Sequence, residues 1–191
     1  IVFIPEKSNL YSENEKAKEY DFGTLSSVME GKYRIGHFNG MATIVEKFLN
    51  IIQPTKAFFG EKDLQQLQIV KELVKKEKIS TEIIGISTIR EFNGLAKSSR
   101  NKLLTVKQKI EASLIYECLC YCKENKNLGI TKLKDYISTI FNKNNYVALE
   151  YVEFVSLKTL QPIQSWNEDN TNAICIAAYV NHVRLIDNII L

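Results

Sequence analysis

The chain has 191 residues, of which 45% are hydrophobic and 25% are charged, and its formal net charge is +3. This length is enough for one large domain or two small ones with a buried core. The weak, evenly spread charge argues against nucleic acid and anionic membranes as partners. No apolar run approaches the roughly 20 residues that a membrane span needs. We therefore expect that the chain binds neither nucleic acid nor a membrane.

The first half of the chain alternates between predicted strands and helices. IVFIP at 1–5 predicts a short buried strand, and an apolar stripe between Met41 and Ile52 at helical spacing predicts a helix ending before Pro54. KAFFG at 56–60 then predicts a buried strand, followed by a helix from about Asp63 and by a strand in STEIIGIS at 80–87. This order is typical of a βαβ unit with a parallel sheet.

The second half has helices first and strands afterwards. Thr105, with Gln108 three residues later, has the form of a capping box and predicts a helix that continues to about Cys122. A second helix is predicted over 131–142. Strands are then predicted in ALEYVEFVSL and AICIAAYV, and HVRLIDNIIL is predicted to be a final short strand or a return of the chain. An α+β arrangement follows, and we predict two domains, residues 1–102 and 103–191.

The cysteines do not have the spacing of a metal site. Cys118, Cys120 and Cys122 lie within one predicted helix, Cys175 is remote, and His37 and His182 complete no usual ligand pattern. We therefore predict no protein-built metal site. Free thiols without a disulfide framework favour a reducing cytoplasm.

A first polar loop, GEKDLQQ at 60–66, follows the KAFFG strand and opens a helix. Ligands of parallel sheets bind beyond the carboxyl ends of the strands, where helix N-termini present free amides. Gly60 permits close approach of a ligand, and Lys62 can meet phosphate charge. Asp63 can accept hydrogen bonds from hydroxyls while capping the helix, and Gln66 can bind a second ligand. The alternative is a helix cap with solvated charges.

A second polar loop, residues 89–101, follows the next strand and contains Lys97, Ser98, Ser99 and Arg100. Hydroxyl and cationic donors suit a polyphosphate leaving group, although a plain surface turn has the same composition. Because the two loops follow adjacent strands, we predict that Lys62 and the hydroxyls of Ser98 and Ser99 share one cleft.

Three motifs in collinear order carry a family resemblance: GEKD..QQ at 60–66, GLA.SSRN at 94–101 and RLIDN at 184–188. Over nearly its whole length the chain resembles the pantothenate synthetase (pantoate–β-alanine ligase) family. The resemblance implies a Rossmann-like nucleotidyltransferase domain in an α/β fold, with a small α+β C-terminal lid domain. It also implies a cytoplasmic homodimer that belongs to coenzyme A biosynthesis.

The resemblance further implies an ATP-dependent ligase with Mg²⁺. Pantoate and ATP would give pantoyl adenylate and pyrophosphate, and β-alanine would then displace AMP. The implied ATP-binding residues include the catalytic set Lys62, Ser98, Ser99 and Arg100 and also Gly60, Glu61, Asp63, Ile89 and Lys97. Gln66 is implied to bind pantoate. Met41, Ile44 and Val45 are read as walls of the pantoate pocket, with His37 and Arg34 at its edge.

The chain departs from the family pattern at its beginning. It starts inside a predicted strand, without the HxGH phosphate-binding signature of the family, so we expect a piece of a longer protein. That piece alone is expected to have little ligase activity, which a pyrophosphate-release assay would test. Two alternatives stay open at this point: another adenylate-forming member of the superfamily, and a non-catalytic fragment that associates with itself.

Overall fold

The computed structural model describes residues 1–12, 16, 18–166 and 171–191. Its helices and strands fall into two groups along the chain, with several short 3₁₀ turns between them. The first group is α1 (Lys7–Leu10), α2 (Glu30–Tyr33), α3 (His37–Ile52), β1 (Lys56–Gly60), α4 (Leu64–Lys76) and β2 (Glu82–Ile86). The second group is α5 (Val106–Ala112), α6 (Leu114–Glu124), α7 (Ile130–Lys143), β3 (Val147–Ser156), β4 (Asn172–Val180) and β5 (Val183–Ile190).

The predicted βαβ unit is present. β1 and β2 are parallel, with Lys56 opposite Glu82 at one end and Gly60 opposite Ile86 at the other. Helix α4 connects them, as expected for parallel neighbours, which need a crossover connection. The carboxyl ends of both strands therefore meet at one edge of the sheet, and the first and second loops leave from that edge.

Two predictions about burial in this half are wrong. Residues 1–5 form no strand, and Ile1, Val2 and Ile4 are exposed, because no strand among the described residues pairs with them. Strand β1 is not buried on both faces, since its residues alternate and the Phe58 side chain is 63% exposed. The described residues pack against only one face of β1, so the side chains on its other face are exposed to solvent.

The second group forms a three-stranded antiparallel sheet in the order β3-β4-β5, covered by helices. Its core contains Leu119, Leu133, Ile137, Phe154 and Ile176, all fully buried. The helix predicted from Thr105 is divided at Ser113 into α5 and α6, and there the Ser113 amide donates to the Ile110 carbonyl, only three positions back, at 3.1 Å. No helix among the described residues has the length and apolarity to cross a membrane.

The two groups of elements share a smaller hydrophobic cluster. Met29 and Leu64 from the first group pack with Val155, Leu160 and Ala173 from the second. The division at residues 102 and 103 stays a prediction. What matters for the site is that β5 lies against the turn between β1 and α4.

Candidate active site

The first loop turns sharply from strand to helix. Gly60 ends β1, residues Glu61–Asp63 make one 3₁₀ turn, and α4 begins at Leu64. Asp63 occupies the N-cap position, but its side chain makes no capping hydrogen bond, so the expected capping role is wrong. Its carboxylate instead lies 3.9 Å from the Lys62 ammonium and is half exposed. This leaves Asp63 free to meet a ligand.

Lys62 is at the centre of the site. Its side chain is only 18% exposed and borders three clefts. It shares one cleft with Ser98 and Arg100 of the second loop. It shares a second, more open cleft with Gly60, Ile89 and Lys97. The sequence prediction that Lys62 and Ser98 share a cleft is therefore confirmed.

Ser99 is arranged differently from Ser98 and Arg100. Ser99 is exposed at the start of a 3₁₀ turn over Ser99–Leu103 and lies outside the cleft that Ser98 lines. The shared-cleft prediction thus fails for Ser99, because the turn directs consecutive side chains apart. The Ser98 hydroxyl caps this turn by accepting from the Arg100 amide at 3.2 Å, and Arg100 donates to the Arg184 carbonyl.

The second loop is a small hairpin. Arg90 and Ala96 form an antiparallel bridge, and the Lys97 amide donates to the Ile89 carbonyl at 2.9 Å. Gly94 has a φ of +87°, and a Cβ there would lie 2.4 Å from the Tyr116 ring. Only glycine fits this position, which explains the glycine in the loop.

The third cleft extends from Lys62 toward helices α2 and α3. Gln66 and His37 both line it, together with Asp63 and Asp187. Burial, followed by the positive charge of Arg34, lowers the pKa of His37. This lowering favours the neutral imidazole, which can accept a hydrogen bond from a ligand.

The three predicted wall residues lie elsewhere on helix α3. Met41 and Val45 pack against a cluster of Phe22, Phe38 and Leu73, and neither they nor Ile44 line the third cleft. Their contact with pantoate stays a prediction.

Only one of the two adjacent glutamines was predicted to bind a ligand, and the other is structural. Gln65 is buried, accepts from the Glu30 amide at 2.9 Å and donates to the carbonyls of Leu25 and Val28. It therefore ties the start of α4 to α2. Both glutamines line the third cleft, but the Gln65 side-chain amide is engaged by Glu30, Leu25 and Val28, which leaves Gln66 to meet a ligand.

A buried ion network that the sequence did not reveal borders the third cleft. Arg184 on β5 donates to both carboxylate oxygens of Glu30, at 2.7 and 2.8 Å, and to Glu150 at 2.5 and 3.0 Å. The Tyr151 hydroxyl donates to Glu30 at 2.9 Å. Burial opposes ionisation of Glu30, but Arg184 and Tyr151 outweigh it, and the pKa of Glu30 is lowered.

Comparison with known proteins identifies the family. The family model for pantoate-beta-alanine ligase matches residues 1–190. The chain is 45% identical to pantothenate synthetase of Azobacteroides pseudotrichonymphae and 40% identical to that of Christiangramia forsetii. These alignments cover 99% and 100% of the chain and 68% of each relative. The chain therefore spans about two thirds of the length of these relatives.

Solved structures agree with this result. Pantothenate synthetase from Thermus thermophilus matches with a TM-score of 0.90 and 30% identity, over 97% of this chain and 67% of that one. Pantoate-beta-alanine ligase from Francisella tularensis, complexed with beta-gamma ATP and beta-alanine, matches with a TM-score of 0.69 and 36% identity, over 93% and 59%. The expected α/β nucleotidyltransferase-like fold with a C-terminal domain is confirmed. The chain belongs to the pantoate–β-alanine ligase family, whose reaction is the ATP-dependent ligation of pantoate to β-alanine.

Proposed function

We propose that ATP binds over the shared carboxyl edge of β1 and β2, with its phosphates between the first and second loops. One observation carries this proposal: Lys62 borders a cleft with Ser98 and Arg100 and a second cleft with Ile89 and Lys97. Both loops therefore surround one ammonium group. The ATP-binding set is Gly60, Glu61, Lys62, Asp63, Ile89, Lys97, Ser98, Ser99 and Arg100.

The chemistry at this edge is adenylation followed by acyl transfer. A pantoate carboxylate oxygen attacks the α-phosphorus of ATP, and the bond to the β-phosphate oxygen breaks, releasing pyrophosphate. Lys62 and Arg100 stabilise the negative charge that develops on the phosphates. The amine of β-alanine then attacks the acyl carbon, loses a proton, and AMP departs with the electrons of the acyl–oxygen bond.

Mg²⁺ fits this arrangement as a partner of the nucleotide. Magnesium is commonly held by one or two carboxylates together with substrate phosphates. Asp63 supplies such a carboxylate beside Lys62. In this role the ion would neutralise the polyphosphate and make pyrophosphate a better leaving group.

Pantoate is assigned to the α3 side of Lys62. Gln66, which lines the third cleft with His37, offers an amide donor and acceptor for the hydroxyl groups and carboxylate of pantoate. Met41, Ile44 and Val45 do not line this cleft, so their contact with pantoate rests on the family resemblance and on their position in the helix that follows His37.

Assembly as a cytoplasmic homodimer is part of the same proposal. It rests on the family resemblance alone. Sedimentation equilibrium tests it, and a monomeric mass at micromolar concentration would contradict it.

A stable sulfamoyl analogue of pantoyl adenylate tests the pantoate assignment. Because the analogue fills both subsites, we expect it to bind at least about tenfold more tightly than ATP. Gln66→Leu should weaken binding of the analogue and leave ATP binding unchanged. Gln68→Leu is the matched control, since Gln68 is on the same helix but does not line the third cleft.

Two results would contradict the assignment. One is unchanged affinity of Gln66→Leu for the analogue. The other is equal or tighter binding of adenylate analogues made from different carboxylic acids, which would indicate another adenylate-forming specificity.

A further inference from the structure

Asn188 on β5 fixes the backbone on both sides of Lys62. Its side-chain amide donates to the carbonyl of Glu61 at 2.8 Å and to the carbonyl of Lys62 at 2.9 Å. These carbonyls belong to the two peptide planes that flank the Lys62 Cα. Holding both planes fixes φ and ψ of Lys62, and therefore the direction in which its side chain leaves the turn. Asn188 is only 6% exposed, so water cannot easily replace it.

The neighbouring Asp187 holds the second loop. Its carboxylate accepts from Arg90 at 2.6 and 3.0 Å, a bidentate pair, and Asp187 is only 4% exposed. Arg90 also donates to the Gly94 carbonyl at 3.0 Å and stacks on the Tyr116 ring, 3.7 Å from its centroid. The Arg90 guanidinium thus connects β5 to the base of the second-loop hairpin, where Arg90 pairs with Ala96, the residue before Lys97.

We propose that Asp187 and Asn188 are positioning residues for the two ATP-binding loops, although both residues are far from those loops along the chain. Asn188 would set the geometry of Lys62, and Asp187 would set the geometry of the loop that carries Ser98 and Arg100. Asp187 borders the clefts beside Lys62, but both its carboxylate oxygens are already engaged, by the Arg90 guanidinium and by the backbone amide of Asn188. We therefore assign it a positioning role and not direct contact with ATP. This inference rests on the proposed ATP site.

Amide hydrogen exchange on the whole chain separates positioning from general stability. Asn188→Leu keeps the size of the side chain and removes both donors. We expect exchange in residues 60–66 to accelerate at least about tenfold relative to the amides of β4, which report global opening. Asn125→Leu is the matched control, because the side-chain amide of Asn125 donates a hydrogen bond to the Tyr121 carbonyl at the end of α6, away from the two loops.

Asp187→Asn should give the complementary pattern. It keeps the shape of the side chain and removes the charge that holds Arg90, so exchange should accelerate in residues 89–101 more than in 60–66. Both variants should weaken ATP binding roughly five- to tenfold, as expected when a buried hydrogen bond is lost. Asn125→Leu should leave ATP binding unchanged.

Equal acceleration in the loops and in β4 would mean that the substitutions lower only global stability, which would overturn the positioning role. So would ATP affinity within twofold of the unmodified chain. If the unmodified chain fails to bind ATP, the proposed ATP site is wrong, and the exchange comparison alone then decides whether Asp187 and Asn188 position the loops.

Discussion

Replacing Arg184 by methionine would remove the guanidinium that joins Glu30 to Glu150. Methionine keeps most of the apolar stem, so the change isolates the loss of charge and hydrogen bonds. The three side chains are only 14%, 10% and 13% exposed. Water therefore solvates neither carboxylate well once the arginine is gone.

The structure gives the size of the effect. Breaking a buried ion pair by removing one partner typically costs about 3–5 kcal/mol, because the remaining charge is left uncompensated. Arg184 serves two carboxylates, so the upper part of this range is expected. A chain of this length loses about 2–4 °C in melting temperature per kcal/mol, so a loss of about 4–5 kcal/mol predicts a decrease of about 8–20 °C.

Urea unfolding at pH 7 measures this loss. Lys56→Met is the control, because the Lys56–Glu82 pair is more than half exposed on both sides and should contribute less than about 1 kcal/mol. A loss for Arg184→Met that is no larger than for Lys56→Met would refute the reasoning.

The pH dependence of the same measurement has a definite sign. Arg184 lowers the pKa of Glu30 in the folded state, so its stabilisation is fully present above the ordinary value of 4.5. It is lost as the pH falls through the lowered folded pKa. The difference between the unmodified chain and Arg184→Met should therefore shrink in acid, and a difference that grows below pH 4.5 would contradict this account.

Two further predictions concern local features. In the capping box, the Thr105 side chain accepts a hydrogen bond from the backbone amide of Gln108. Thr105→Ala removes this bond and should lower the free energy of unfolding in urea by about 1 kcal/mol, while Thr105→Ser should retain most of the stability. Equal losses for both variants would show that the hydroxyl is unimportant. NMR titration should place the pKa of His37 below its ordinary 6.5, and Arg34→Gln should raise it; a value above 6.5 in the unmodified chain would mean that burial does not control this group.

Features set by neighbouring residues were predictable from the sequence. The Thr105 capping box depends on residues three positions apart and was found as expected. The β1-α4-β2 unit follows from local periodicity, and its parallel pairing places the first and second loops at one edge. Lys62 and Ser98 could therefore be predicted to share a cleft, although they are far apart in the chain.

Features set by pairing across the chain were not predictable. Arg184 meets Glu30 across 154 positions, and Asn188 meets Glu61 across 127, so no local pattern signals either contact. The motif RLIDN marked these residues as part of a resemblance, but gave no partner for them. Residues 1–5 failed for a related reason: a strand exists only if another strand pairs with it, and composition alone cannot supply the partner.

Calorimetric titration of the chain with ATP and Mg²⁺ tests the central claim most directly. Lys62→Ala should weaken ATP binding by roughly tenfold or more, because it removes a hydrogen bond to a charged group that is largely shielded from water. Lys56→Ala, at the opposite end of β1, removes the same charge and should leave the affinity unchanged. Equal affinities for the two variants would contradict the claim that the first and second loops bind ATP around Lys62.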